Sequence, residues 1–151
     1  MLDKNGIEMK TGDIVEITGA FFKTDNGLYF VESSPGDPSW SGKDYCLKKI
    51  SKAGKISTAK YNICFWPIAT FVSDRMKTAK ASRWNREHAT IEVKAPLKDM
   101  SAVAAFFQGK ADDLAKEIGR VTRLWGENSE DVQRMKTSKA HYEAVSQAVT
   151  P

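Results

Sequence analysis

The sequence is poor in the residues that small proteins use as staples or for metal and covalent chemistry. Its 151 residues contain two cysteines and two histidines. Cys46 and Cys64 stand eighteen positions apart, no Cys-x-x-Cys occurs, and neither histidine falls at ligand spacing. A disulfide framework, a structural zinc site and a redox motif therefore have no basis in the spacing, and both thiols are expected reduced and partly buried. No metal and no cofactor is expected. The stretch "ESSPGDPSWSGKDYC", residues 32–46, holds two glycines, Gly36 and Gly42, too widely and irregularly spaced to cradle a phosphate, and no Gly-Lys-Ser/Thr follows. Long apolar runs are also missing: nothing approaches the roughly eighteen residues of a membrane span. The opening "MLDKNGIEMK" is polar where a secretory signal has its apolar centre. The expected location is the cytoplasm, without membrane contact.

What is present is an ordinary globular composition, 41% hydrophobic and 28% charged, enough for one domain or a small domain with an appended helical unit. The net charge of +4 hides an asymmetry. Residues 1–42 carry three Lys/Arg against seven Asp/Glu, residues 43–94 twelve against four, and residues 95–151 eight against eight. The positive excess is thus central, which attracts polyanions and makes a nucleic acid, or an acidic protein surface, the leading partner class.

Period-two patterning dominates the first ninety or so residues. In "GDIVEITG", Val15 and Ile17 share one face, expected to be buried, while Ile14, Glu16 and Thr18 share the other, with Ile14 half-buried. Asn26-Gly27, two residues that tolerate positive φ, mark a tight hairpin turn. "DYCLKKIS", a turn at Gly54, "YNICFWPIATFV" and "HATIEVK" continue the series, with Ala89, Ile91 and Val93 on one face of the last. Pro67 argues for an edge, a bulge or a break. Five or six short strands joined by turns suggest a small closed or nearly closed barrel. The residues Gly12, Asp13, Val15, Glu16, Ile17, Gly27, Tyr29 and Val31 form a pattern that resembles the opening strands of SH3-like barrels. The longer run through "GLYFVE", "GDPSW", "KISKAGKIS" and "FWPI" also resembles small accessory proteins of bacterial mobile elements. Neither likeness implies an activity.

From Ala95 the period changes. Leu97, Met100, Ala104, Phe107, Ala111, Leu114, Ile118, Val121 and Trp125 alternate in steps of three and four, a heptad stripe along one helix. Gly109 and Gly119 interrupt good helix formers, so that a bend or a split near Gly109 is open; Gly126 ends the helix, and Asn128 or Ser129 caps a second one bearing Val132, Met135, Tyr142, Val145 and Val149 on one face. The expected architecture is α+β: an N-terminal SH3-like small β-barrel over residues 8–94 and a C-terminal helical hairpin over residues 95–150. Apolar surface left on the hairpin offers a route to a homodimer.

Catalytic candidates are few. His88 and His141 read as ordinary surface or half-buried residues, and a thiol–imidazole dyad of Cys46 or Cys64 with His88 competes with burial, which makes a thiol inert. The carboxylate pairs Asp112-Asp113 and Glu130-Asp131 read as solvated faces, the second suited to a helix N-terminus. The basic segment makes the stronger case. Lys48, Lys49, Lys52, Lys55 and Lys60 surround one hairpin, and Arg75, Lys77, Lys80, Arg83 and Arg86 follow. Trp40 and Trp84 are the aromatics in polar surroundings, each either a plug on the barrel or a contact residue. The expected function is non-catalytic binding of a nucleic acid or nucleoprotein complex through this surface. The alternative is a protein-interaction or inhibitor module of a mobile element that binds an acidic host protein.

Overall fold

The computed structural model describes residues 2–20, 23–38, 45–57, 63–64 and 90–150. The fold is α+β. Five antiparallel strands, β1 (Ile14–Thr18), β2 (Gly27–Ser33), β3 (Cys46–Ile50), β4 (Ile63–Cys64) and β5 (Thr90–Lys94), form one sheet in the order β4-β3-β2-β1-β5. Two helices follow, α1 (Ser101–Trp125) and α2 (Glu130–Val149). The closed or nearly closed barrel expected from the sequence is not reached among the described residues, where β4 and β5 remain as separate edges of an open sheet.

The connection from β1 to β2 departs from the tight turn expected at Asn26-Gly27. It spans residues 19–26 and includes a 3-10 turn over Lys23–Asp25. Asn26 closes this loop with its side chain, whose Oδ1 accepts from the Ala20 N–H at 2.9 Å, while Gly27 opens β2 at φ +137. Asparagine acts here through its amide rather than through its turn propensity.

Both faces of the sheet are buried, and this explains why Ile14 is 2% exposed instead of half-buried. Val15, Ile17, Tyr29, Val31, Leu47 and Ile91 pack with Met9 and Tyr45 on one face. Ile14, Phe30 and Ile50 pack on the other, against Met100, Val103, Phe107, Ala111, Tyr142 and Val145. Consecutive residues Tyr29, Phe30 and Val31 of β2 therefore all reach 0% exposure. A two-sided burial of this kind erases the polar half of a strand's alternation.

The helix stripe is occupied by this packing for most of its length. Leu97 is the exception at the start: it precedes α1, on the extended link from β5, and still packs against the helix-side core. No break occurs at Gly109 or Gly119, because α1 runs continuously to Trp125 and Gly126 closes it with an N–H donated to the Thr122 carbonyl. Ser129 caps α2 by accepting from the Val132 N–H. The buried side of α2 is partly polar. Ser138 donates to the Pro38 carbonyl at 3.2 Å, and Ser146 to the Ala104 carbonyl at 2.9 Å, so hydroxyls stand at two positions where a stripe would have aliphatics. At about 1.5 Å per residue, 25-residue α1 is about 37 Å long, well beyond a seven-residue strand of about 23 Å. The overhanging end leaves Leu124 63% and Trp125 75% exposed.

Residues before position 8 also belong to the structure. The Lys4 N–H donates to the Ile91 carbonyl, and the Asp3 carboxylate accepts from the backbone N–H groups of Asn5, Ile7 and Val93, each at 2.8 Å. Asp3 is 3% exposed. Burial pushes its carboxyl upward, but the backbone donors of Val93, Ile7 and Asn5, with Lys4 behind them, outweigh that and hold it below the usual carboxylate range. A depressed folded value means that this contribution is complete above the unfolded value near 3.8 and is lost as pH falls through the folded one. Asp3→Ala is expected to cost about 3 kcal/mol at neutral pH. Asp3→Asn should cost less and flatten the stability profile below about pH 4, as read by urea unfolding across pH. An acid profile unchanged by the Asp3→Asn substitution would contradict this role.

Candidate functional site

Of the sequence-nominated residues, Lys48, Lys49, Lys52 and Lys55 are described. Lys60, Arg75, Lys77, Lys80, Arg83, Arg86, Trp40 and Trp84 lie outside the described residues, as do His88, Ala89 and Pro67. The four described lysines do not share a surface. Adjacent strand residues point to opposite faces, and each of the first two is engaged where it points. Lys48 reaches over the Phe106 ring on the helix side, at 5.6 Å from the centroid. Lys49 turns to the other face, donating to the Thr24 and Asn26 carbonyls at 2.6 and 3.1 Å and lying 5.8 Å from the Tyr29 ring centre. Both tie elements together.

Lys52 and Lys55 differ: both are exposed on the turn that follows β3. This turn is closed by Ser51 N–H to the Lys55 carbonyl, 2.9 Å, and Gly54 N–H to the Ser51 carbonyl, 2.9 Å. Gly54 follows the central turn residues Lys52 and Ala53 with φ +81, so close to the link before α1 that a Cβ there would lie 2.6 Å from the Asp99 carbonyl oxygen and 3.9 Å from Leu97. Packing of the turn on residues 97–99 brings it beside Lys98, which is exposed.

Lys98 in turn lines a cleft of about 430 Å³ formed by residues 10–14, the link from Lys94 to Met100, and the last turn of α2. Its cations are Lys10, Lys94 and Lys98. Lys94 is shared between Glu16 and Glu92, at 3.7 and 3.5 Å. Among the described residues Lys10, Lys52, Lys55 and Lys98 have no ion-pair partner. Lys110, by contrast, is internal to the fold: burial works against its charge, but Glu32, 2.9 Å away, more than offsets this and raises its pKa. Counting charge along the chain finds only Lys94 of the three cleft lysines, because Lys10 falls in the acidic first segment and Lys98 in the neutral last one.

A second polar cluster joins the two layers. The Asp37 carboxylate accepts from Thr11 Oγ1, from the Ser34 N–H at 3.0 Å and from Ser34 Oγ at 3.1 Å. His141 Nε2 stands 3.5 Å from Asp37 Oδ1, shielded from solvent and without a hydrogen bond. The spacing Ser34-x-x-Asp37 is a legible turn signal, whereas the arrival of His141 from the last helix is not. The Ser34 hydroxyl is directed at Asp37 and Thr11, so this is not the nucleophile–base contact that acyl transfer requires. Cys46 is buried, and its thiol donates to Glu32 Oε2 at 3.5 Å. Among the described residues no three His, Cys, Asp or Glu side chains gather as a metal site. None of the described helices is long and apolar enough to cross a membrane.

Comparison with known proteins finds no matching family model, no similar curated protein and no similar solved structure. The functional reading therefore rests on the surface itself.

Proposed function

We propose that the protein is a non-catalytic binding protein that engages the phosphate backbone of a nucleic acid, free or within a nucleoprotein complex. The observation that carries this reading is that the turn bearing Lys52 and Lys55 packs through Gly54 on the link that bears Lys98, all three lysines being exposed and without an ion-pair partner among the described residues. Lys10 continues the series across the cleft. Ammonium groups held apart from carboxylates release counterions from a polyanion and carry no base preference. Lys60, Arg75, Lys77, Lys80, Arg83 and Arg86, with Trp40 and Trp84, are the further candidates that the sequence nominates for such binding; all eight lie outside the described residues. The strand order, in which β5 returns to the free edge of β1, supports an SH3-like reading of the sheet.

The test is binding of labelled single-stranded and double-stranded oligonucleotides to the protein at several salt concentrations. With Lys52, Lys55 and Lys98 all replaced by Glu, single-strand affinity is expected to fall more than tenfold at low salt. The slope of log affinity against log salt should fall by roughly 2, at about 0.7 per phosphate contact. Lys48 and Lys49 are left alone because their replacement would disturb internal contacts. Unchanged affinity and slope in a folded triple variant would overturn the assignment. The second reading, an interaction or inhibitor module for an acidic host protein, has support of its own in the aliphatic residues that line one cleft together with Lys10 and Lys98. Self-association through the hairpin would use Leu124 and Trp125, its large exposed apolar residues.

A further inference from the structure

The cleft beside the lysine turn has a chemistry that phosphate-backbone binding does not use. Its lining includes the aliphatic residues Ile14, Leu97, Met100, Val145, Ala148 and Val149. Among the described residues no aromatic ring lines it, so these offer no stacking platform for a base. The same lining holds Lys10, Lys94 and Lys98, arriving from two different segments. We infer that this cleft binds a small amphipathic anion with a saturated aliphatic body, an acyl carboxylate, its chain on the aliphatic lining and its head among the three ammonium groups.

Four features favour that ligand class. The volume of about 430 Å³ lies in the range of small-molecule sites. Lysines are point charges that hold a carboxylate without the planar, two-pronged geometry of arginine. Lys10 and Lys98 have no ion-pair partner among the described residues, so a bound carboxylate does not have to displace one. The aliphatic lining is also fixed in place. Gly12 packs so closely under Val145 that a Cβ would meet its Cγ1 at 3.0 Å, and Ile14 and Met100 are core residues at 2% and 5% exposure. Among the described residues Asp13 is the one carboxylate in the lining. Its Oδ2 is already held by the Lys10 N–H at 3.0 Å, and burial raises its pKa despite that contact and the Lys10 charge.

The experiment is calorimetric titration of the whole protein with decanoate below its micelle concentration, beside octanoate, 1-decanol and inorganic phosphate. Saturable binding of one decanoate is expected, with about fifteenfold weaker binding of octanoate, since each methylene buried contributes roughly a factor of four. Decanol should bind at least tenfold more weakly, and phosphate alone should not compete at equal concentration. Ala148→Trp, which adds bulk to the lining without changing charge, should abolish decanoate binding and leave oligonucleotide binding intact. Lys52→Glu with Lys55→Glu should do the reverse, so this inference and the polyanion reading stand or fall separately. Absence of saturable decanoate binding, equal affinity for decanol, or full binding by the Ala148→Trp protein would each overturn it.

Discussion

Replacing Phe107 by alanine is expected to remove about 3–5 kcal/mol of stability, a large share of the roughly 5–15 kcal/mol that a domain of this size has. Phe107 is 0% exposed and stands where β2, α1 and α2 meet. Its ring lies edge-on to Phe30 of β2 at 5.5 Å and 69°, edge-on to Phe106 at 5.5 Å and 90°, and stacked near Tyr142 of α2 at 6.2 Å and 26°. Truncation would leave a cavity touching β2, α1 and α2 at once, and aromatic neighbours with preferred edge and offset geometries close poorly over such a gap. Because the same cluster joins Ile14 and Ile50 to Val103 and Val145, sheet and helices should melt together. Urea unfolding followed by far-ultraviolet circular dichroism would show one transition shifted to lower denaturant. Two separated transitions, with the strand signal retained after the helices are lost, would mean that the two layers are independently stable.

Gly54→Ala is the second large effect, and it links stability to the proposed surface. At φ +81 an alanine pays the left-handed backbone penalty of about 1–2 kcal/mol. Its Cβ would also lie 2.6 Å from the Asp99 carbonyl oxygen, a backbone atom that cannot swing away as a side-chain tip can. Relief requires the turn and the link before α1 to part, and forced shifts of this kind cost a further 1–3 kcal/mol or so. Gly36→Ala is the matched control: φ is +92 there, but among the described residues a Cβ would have nothing within 4 Å. The control should therefore lose only the backbone component. The difference between the two proteins, measured by denaturant titration, isolates the contact. Because the turn carries Lys52 and Lys55 and the link carries Lys98, Gly54→Ala should also weaken oligonucleotide binding while Gly36→Ala does not. Equal stability losses in both variants would mean that the turn is not held against the link.

Local patterns reveal the elements that depend on local physics. The alternation in "GDIVEI" and "TIEVK" marks β1 and β5, and Gly126 and Ser129 mark the helix boundaries through backbone geometry and capping. Features that depend on the far side of an element stay hidden. Ile14 reads as half-buried because nothing in the neighbouring sequence says that a helix layer will cover that face, and Asn26 reads as a turn residue although its bond to Ala20 closes a longer loop. The same limit applies to the surface. Lys48 and Lys49 carry the same charge as Lys52 and Lys55, but carbonyls and rings brought in from the β1–β2 loop and from α1 turn them into internal ties. Lys10 and Lys98 meet across a cleft only after α2 has returned to the sheet.

The order of strands has a consequence for how the chain becomes a folded molecule. β1 lies between β2, its neighbour in sequence, and β5, where Thr18 pairs with Thr90 and Ile14 with Lys94, 72 and 80 positions further on. As the chain leaves the ribosome, the β1–β2 hairpin can close early, yet one whole row of β1 amides and carbonyls must wait for β5. During that interval it is an open template for another strand. Asp3 and Lys4 bond to the far side of β5, so residues made well before β1 are among the last to be fixed. A ribosome-bound fragment ending before residue 90 should therefore aggregate or bind a chaperone where one extended past the start of α1 does not, and slow closure of distant contacts rather than helix formation should limit the folding rate.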